Sequence, residues 1–192
     1  MRIHFTEGIV LKKEPHGEAD ALFTFLTNDF GKIRCVAKGV RKQEAKLKGH
    51  MEVFSHVAIG FVIGKNMYRL TSADMKMFFP QIRLHPPALH GAATLVDMLD
   101  RNIFEERDDP RLFDLASATL LELEAGAGGA LSDGTAPRGD GIEGTLLRFQ
   151  AELLSVLGLL PEGGAQAALV RSLVREHLGC TWAPFSDILR VV

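Results

Sequence analysis

Asn28-Asp29-Phe30-Gly31-Lys32-Ile33-Arg34-Cys35-Val36-Ala37-Lys38 begins with turn-forming residues and continues with alternating polar and apolar side chains. Asn, Asp and Gly accept tight-turn backbone angles at little steric cost, so positions 28–31 read as a hairpin connection. Successive side chains of a strand point to opposite faces, which puts Ile33, Cys35 and Ala37 on one side and Lys32, Arg34 and Lys38 on the other. The spacing therefore predicts a strand with an apolar inner face and a cationic outer face.

The same grammar holds on either side of it. From Thr6 to about Ala73 the chain consists of short apolar runs broken by Gly, Pro, Asn and Asp, the pattern of a small all-β domain. Five strands are expected: Gly8–Lys13, Ala21–Thr27, Lys32–Lys38, Val53–Ile63 and Met67–Ala73, with Gly64-Lys65-Asn66 as a second tight turn. Five short strands with one long connection, between the third and fourth, fit a Greek-key barrel of the OB type better than an open sheet. The predicted fold class is α+β, with a five-stranded OB-type β-barrel in residues 1–80 and an all-helical domain in residues 81–192.

The long connection is strongly basic. Between Gly31 and His50 there are seven Lys/Arg and one acid, Glu44, in a chain whose total charge is −2. Up to Pro80 thirteen Lys/Arg face eight Asp/Glu, whereas after it nine face sixteen. A concentration of like charge repels itself unless a polyanion meets it, so nucleic acid is the first ligand class. The plain alternative is a solvated charge run near a loop.

With 192 residues, 46% of them hydrophobic, the chain is an ordinary globular protein with ample core material. Two cysteines, Cys35 and Cys180, are too few for a disulfide framework and fit a reducing cytoplasm. The N-terminus does not read as a secretory signal, and no apolar run reaches the ~18 residues of a membrane span. A cytoplasmic protein with no membrane partner is expected.

After Pro80 the apolar period lengthens to about 3.6 residues. Leu89, Ala92, Ala93, Val96, Leu99 and Ile103 mark one amphipathic helix. Asp109 and Pro110 start a second, whose expected buried stripe is Leu112, Leu115, Ala116, Thr119 and Leu123. Gly126–Gly144 holds seven glycines and reads as a flexible surface loop. Helix resumes over Glu143–Leu157, stops at Gly158, and a last helix covers Ala165–Leu178 with Gly179 as its cap.

Read in order, Glu7-Gly8-Ile9-Val10-Leu11, Gly17-Glu18-Ala19-Asp20, Leu26-Thr27, Phe30-Gly31-Lys32-Ile33, Ala37-Lys38-Gly39-Val40-Arg41-Lys42, Lys46-Leu47, Gly49 and Phe54 resemble the RecO proteins, mediators of bacterial recombinational DNA repair. Leu70-Thr71-Ser72-Ala73 extends the match. The resemblance implies an N-terminal OB domain followed by helices, binding of single- and double-stranded DNA, and annealing of complementary strands. It also implies partnership with RecR and with single-stranded-DNA-binding protein in loading RecA, and work at the nucleoid. Many relatives carry a four-cysteine zinc module after the helix corresponding to Glu143–Leu157. Here Leu159-Leu160-Pro161 runs into Glu162-Gly163-Gly164, so a zinc-free chain is expected.

Lys32, Arg34, Lys38, Arg41, Lys42, Lys46 and Lys48 are the expected phosphate contacts, because guanidinium and ammonium groups neutralise a nucleic-acid backbone without reading sequence. Phe23, Phe25, Phe54 and Phe61 lie in strand patterns that need a barrel core. Tyr68 and Phe30, beside turns, are the candidates for stacking on bases. His177 and Cys180 make two ligands at most and read as structural. No phosphate-binding loop, nucleophile elbow or nuclease-like carboxylate cluster is present, so neither catalysis nor a metal or other cofactor is expected. Two rival classes share parts of this pattern: an OB barrel that binds polypeptide as an adaptor, and an RNA-binding barrel.

Overall fold

The computed structural model describes residues 2–41, 51–65, 67–105, 109–128, 141–160 and 166–179. It contains two compact units, one of residues 1–78 with 99–114 and one of residues 79–98 with 115–192.

The first unit is a closed barrel with strand order β1-β2-β3-β5-β4, formed by β1 (Ile3–His16), β2 (Asp20–Thr27), β3 (Gly31–Ala37), β4 (His56–Ile63) and β5 (Tyr68–Met77). This is the expected five-stranded OB-type topology. β1 is longer than the Gly8–Lys13 expectation because it serves two neighbours. Its first half pairs with β4 from Ile3↔Val62 to Ile9↔His56, and its second half pairs with β2 as far as His16↔Asp20. A bulge between Val10 and Lys12 sits where it changes partner, and the extra residue bends the strand round the barrel. β3 and β5 close the barrel in parallel, with Cys35↔Tyr68 and Val36↔Arg69 in register.

The fourth strand starts later than expected. Val53 and Phe54 lie in a turn, and Phe54 takes a left-handed φ of 57° that a continuing strand does not allow. Its ring is nonetheless buried, as the apolar pattern predicted, and so are Phe23, Phe25 and Phe61. Phe23, Phe25 and Phe61 pack with Val10, Ile33, Cys35, Val57, Ile59 and Leu70, and both ends of the long β3–β4 connection add to the core through Val40 and Met51. Full burial of each large apolar side chain contributes about 1.5–3 kcal/mol. Alternation is thus the reason these strands close around one interior. The 28–31 turn is fixed by Thr27, whose Oγ1 donates to the Gly31 carbonyl at 2.7 Å and accepts from Phe30 N at 3.1 Å, with Gly31 at φ 62°.

The second unit is helical. The chain forms α1 (Pro80–Leu84), α2 (Pro86–Asn102), α3 (Pro110–Ala127), α4 (Gly141–Val156) and α5 (Ala167–Leu173), the last running into a wide π-type turn over Val174–Leu178 that ends at Gly179. Glu124 of α3 caps α1, its carboxylate accepting from Gln81 N at 3.0 Å and Ile82 N at 2.8 Å. Asp109 caps α3 as expected, accepting from Arg111 N at 3.2 Å. The buried stripe of α2 is Ala88, Ala92, Leu95, Val96 and Leu99, whereas Ala93 and Leu89 face outward. Alanine suits either face of a helix, and counting Ala93 as core rotated the expected stripe. The ends of the expected loop are helical, at Gly126 and from Gly141 onward, while residues 129–140, Cys180 and the tail lie outside the described residues. Among the described residues no helix is long and apolar enough to cross a membrane, and no three His, Cys, Asp or Glu side chains are grouped to hold a metal ion.

Candidate nucleic-acid interface

β3 turns Lys32 and Arg34 outward, and each meets carboxylates. Lys32 is 8% exposed, its Nζ donating to the Asp100 carbonyl at 2.6 Å and lying 3.5 Å from Asp100 Oδ1. Asp100 sits in the last turn of α2, within the 99–114 segment that belongs to the barrel unit. A helix C-terminus presents unpaired carbonyls and a partial negative charge, which suits an ammonium group. Arg34 is more open, with its guanidinium 3.7 Å from Glu105 Oε1 and 4.0 Å from Glu14 Oε2 and 41% of its side chain exposed. Glu105 also forms a parallel bridge with Lys32. The outer face of β3 is therefore cationic in sequence and ion-paired in the fold. Sequence reasoning missed this because the matching acids Asp100 and Glu105 lie about seventy residues downstream, in a stretch that reads as the end of a helix.

Lys38 follows β3 and is exposed. Arg41 is positioned by the β1–β2 turn. Its backbone N donates to the Ala19 carbonyl at 2.9 Å and its Nη1 to the Gly17 carbonyl at 3.2 Å, while Gly39 N donates to Asp20 Oδ1 at 2.7 Å. Arg34, Lys38 and Arg41 thus follow one another from the middle of β3 to the β1–β2 turn. Lys42, Lys46 and Lys48 lie outside the described residues.

Tyr68 opens β5 and is partly buried against the core, its ring 5.4 Å from Phe61. Phe30 packs on the same ring at 5.2 Å, and His4 stacks on it at 5.5 Å. Both expected base-stacking residues are therefore members of one aromatic cluster at the barrel wall. Tyr68 also lines a groove of about 450 Å³ with Lys32, Arg34, Lys65, Met67 and Glu105. The parallel β3–β5 pairing puts the β4–β5 turn beside the start of β3, which brings Lys65 to Arg34 and Tyr68. Lys65 was visible in the Gly64-Lys65-Asn66 turn, but its distance in sequence from the basic run hid its place.

A second concavity of the barrel, about 560 Å³, is lined by Phe5, Glu7, Asp29, Ala58, Asp74 and Phe113 among others. Phe5 is 70% exposed although it lies within β1, its ring resting over Gly60, where a Cβ would sit 2.9 Å from Phe5 Cε1. Glu7 pairs with His56 at 2.9 Å, and Asp29 accepts from Thr6 Oγ1 at 2.6 Å. Three carboxylates around an aromatic repel a polyanion, so the β3–β5 groove is the better place for a nucleic-acid backbone.

Cys35, inside the barrel, is held as a neutral thiol because burial pushes its pKa up to about 12. A thiol so protected is inert as nucleophile or metal ligand.

The comparisons agree with this architecture. Residues 1–79 match the family described as Recombination protein O N terminal. The chain is 32% identical over 161 residues to the DNA repair protein RecO of Roseiflexus sp. (strain RS-1), covering 84% of this chain and 52% of that protein. It is 32% identical over 121 residues to the DNA repair protein RecO of Geobacter metallireducens, covering 63% and 50%. It is 33% identical over 119 residues to the DNA repair protein RecO of Dehalococcoides mccartyi (strain 195), covering 62% and 47%. The chain spans about half the length of the curated relatives it matches. A closed five-stranded barrel followed by helices, a family match confined to that barrel, and relatives that share one name agree: the chain belongs to the RecO family.

Proposed function

We propose that this chain is a non-enzymatic DNA-binding mediator of recombinational repair, whose barrel grips the backbones of single- and double-stranded DNA. The carrying observation is the succession Arg34, Lys38, Arg41 along β3 and its exit, flanked by a groove that holds Lys65 and Tyr68. Arg34 lies within β3 and Lys38 just past its end, so at about 3.3 Å per residue the two cations span roughly 13 Å, too far for one small anion and within reach of more than one phosphate of a backbone. Lys42, Lys46 and Lys48 extend the cationic run in sequence. Lys32 has a different part: buried on Asp100, it holds the end of α2 and yields little to a phosphate. The ion pairs of Arg34 are exposed and worth ~0–1 kcal/mol, so a phosphate can replace them.

Annealing needs no active site. Neutralising two strands while leaving their base edges free lets them meet, and a cationic barrel does this by counterion release. The family supports the further roles: residues 1–80 hold DNA, residues 81–192 dock RecR and single-stranded-DNA-binding protein, and RecA loads onto the strand that is freed, at the nucleoid in the cytoplasm.

The test is a mobility shift with oligo-dT, oligo-U and duplex DNA at two salt concentrations, together with an annealing assay. Affinity for oligo-dT should fall with a log–log slope of roughly −0.7 per phosphate neutralised. Neutralising Arg34, Lys38, Arg41 and Lys42 together should slow annealing. A salt-independent affinity or an unchanged annealing rate overturns the reading. Clear preference for oligo-U points to an RNA-binding barrel instead, and failure to bind any of the three points to a protein adaptor.

A further inference from the structure

The segment 99–105 leaves the helical unit to lie on the barrel. Leu99 and Ile103 fix it, at 0% and 2% exposure, and between and beyond these anchors it presents Asp100 and Glu105 to the outer face of β3. The two acids differ in kind. Asp100 meets a buried lysine through its carboxylate and its main-chain carbonyl, and exchanging either contact would leave an ammonium group without compensation. Glu105 is 57% exposed and meets an arginine that is 41% exposed, at 3.7 Å. An exposed pair of this kind contributes little and exchanges readily. A carboxylate and a phosphate address the same guanidinium edge, since each offers two oxygens to its fork of N–H groups. Glu105 also lines the groove that contains Lys65 and Tyr68.

We propose that Glu105 is a built-in competitor of DNA: it occupies the phosphate position on Arg34, and a strand enters the β3–β5 groove only by displacing it. Asp100 is the fixed anchor that keeps the competitor in place through Lys32. This inference rests on the nucleic-acid reading above. Its consequence is a threshold on affinity, because every strand that contacts Arg34 must first release a carboxylate, and ligand binding shifts this exchange only by its differential preference. Short or weakly charged contacts are rejected, whereas a continuous strand that also reaches Lys38 and Arg41 offsets the exchange.

The experiment measures binding of fluorescein-labelled oligo-dT to the full chain by anisotropy, for the unaltered protein, Glu105→Gln, Arg34→Gln and the double variant. Glu105→Gln should tighten binding about two- to fivefold at low salt, the size of one exposed ion pair, with the gain shrinking as salt rises. In the Arg34→Gln background the same change should give no gain, because the group it releases is gone. Equal affinities for Glu105→Gln and the unaltered chain overturn the proposal while leaving the DNA-binding reading intact. An equal gain with and without Arg34 overturns it too, since that marks a general loss of negative charge. If the unaltered chain binds no oligo-dT at any salt, the nucleic-acid reading fails and the competitor fails with it.

Discussion

Two concavities on the outside of the barrel are opposite in charge. One lies along β3 and the β4–β5 turn with Arg34 and Lys65. The other lies over β1, β4 and β5 with Glu7, Asp29 and Asp74 around an exposed phenylalanine. Both are backed by the same interior of Phe23, Phe25, Ile33 and Phe61. The difference teaches that a strand's inward residues answer to packing while its outward residues are free to define a ligand. A chain with a formal charge of −2 can then set Arg34 and Lys65 in one groove and gather Glu7, Asp29 and Asp74 around the other.

The largest effect separates inside from outside. Phe25 is fully buried, so Phe25→Ala should cost about 3–5 kcal/mol in urea unfolding. Phe5→Ala, on the acidic side, should stay within about 0.5 kcal/mol despite the identical chemistry. A comparable loss at Phe5 would mean that its ring is structural.

The charge contrast is broken most directly by Arg34→Gln, Lys38→Gln, Arg41→Gln and Lys42→Gln combined. Oligo-dT affinity should drop roughly a hundredfold at low salt, and the salt slope should flatten by about three, that is ~0.7 for each cation removed. Glu7→Gln with Asp74→Asn should change affinity by less than about twofold, and a larger gain there would show DNA tracking over both concavities.

Tyr68 sharpens the comparison at the level of one ring. Tyr68→Ala should weaken oligo-dT binding by about 1–3 kcal/mol if a base stacks there. Phe5→Ala should leave binding unchanged in the same titration.

The smallest effect is common to both sides because it comes from the shared interior. With its folded pKa pushed up to about 12 against an ordinary 9.0, Cys35 stays neutral where the unfolded chain ionises. Its contribution is whole below pH 9.0 and declines as pH climbs toward 12, by about 1 kcal/mol between pH 9 and 10. Urea midpoints of the native chain and Cys35→Ala across this range check it, since the variant should lose less stability with rising pH.

The barrel was legible because period-two alternation in Ile33, Cys35 and Ala37 and the turn at 28–31 are local signals. The double duty of β1 was not, since a bulge at Val10/Lys12 leaves no mark in composition. Phe54 was recognised as core but misplaced as strand, because hydrophobicity reports burial and not φ. At the site, the types of residue were legible and their availability was not. Lys32 and Arg34 read alike in sequence, and only the return of 99–105 distinguishes the buried cation from the open one. Lys65 was hidden for the converse reason, brought into the groove by a parallel pairing that no local pattern announces.

That pairing has a consequence for how the barrel moves. Cys35↔Tyr68 and Val36↔Arg69 are its registered pairs, against eight between β1 and β2. A seam closed by so few ladder bonds should open at lower free energy than the rest of the sheet, so amide protons along it will exchange first. Opening there would part the barrel beside the groove that holds Lys65 and Tyr68, with the eight-pair β1–β2 ladder remaining closed.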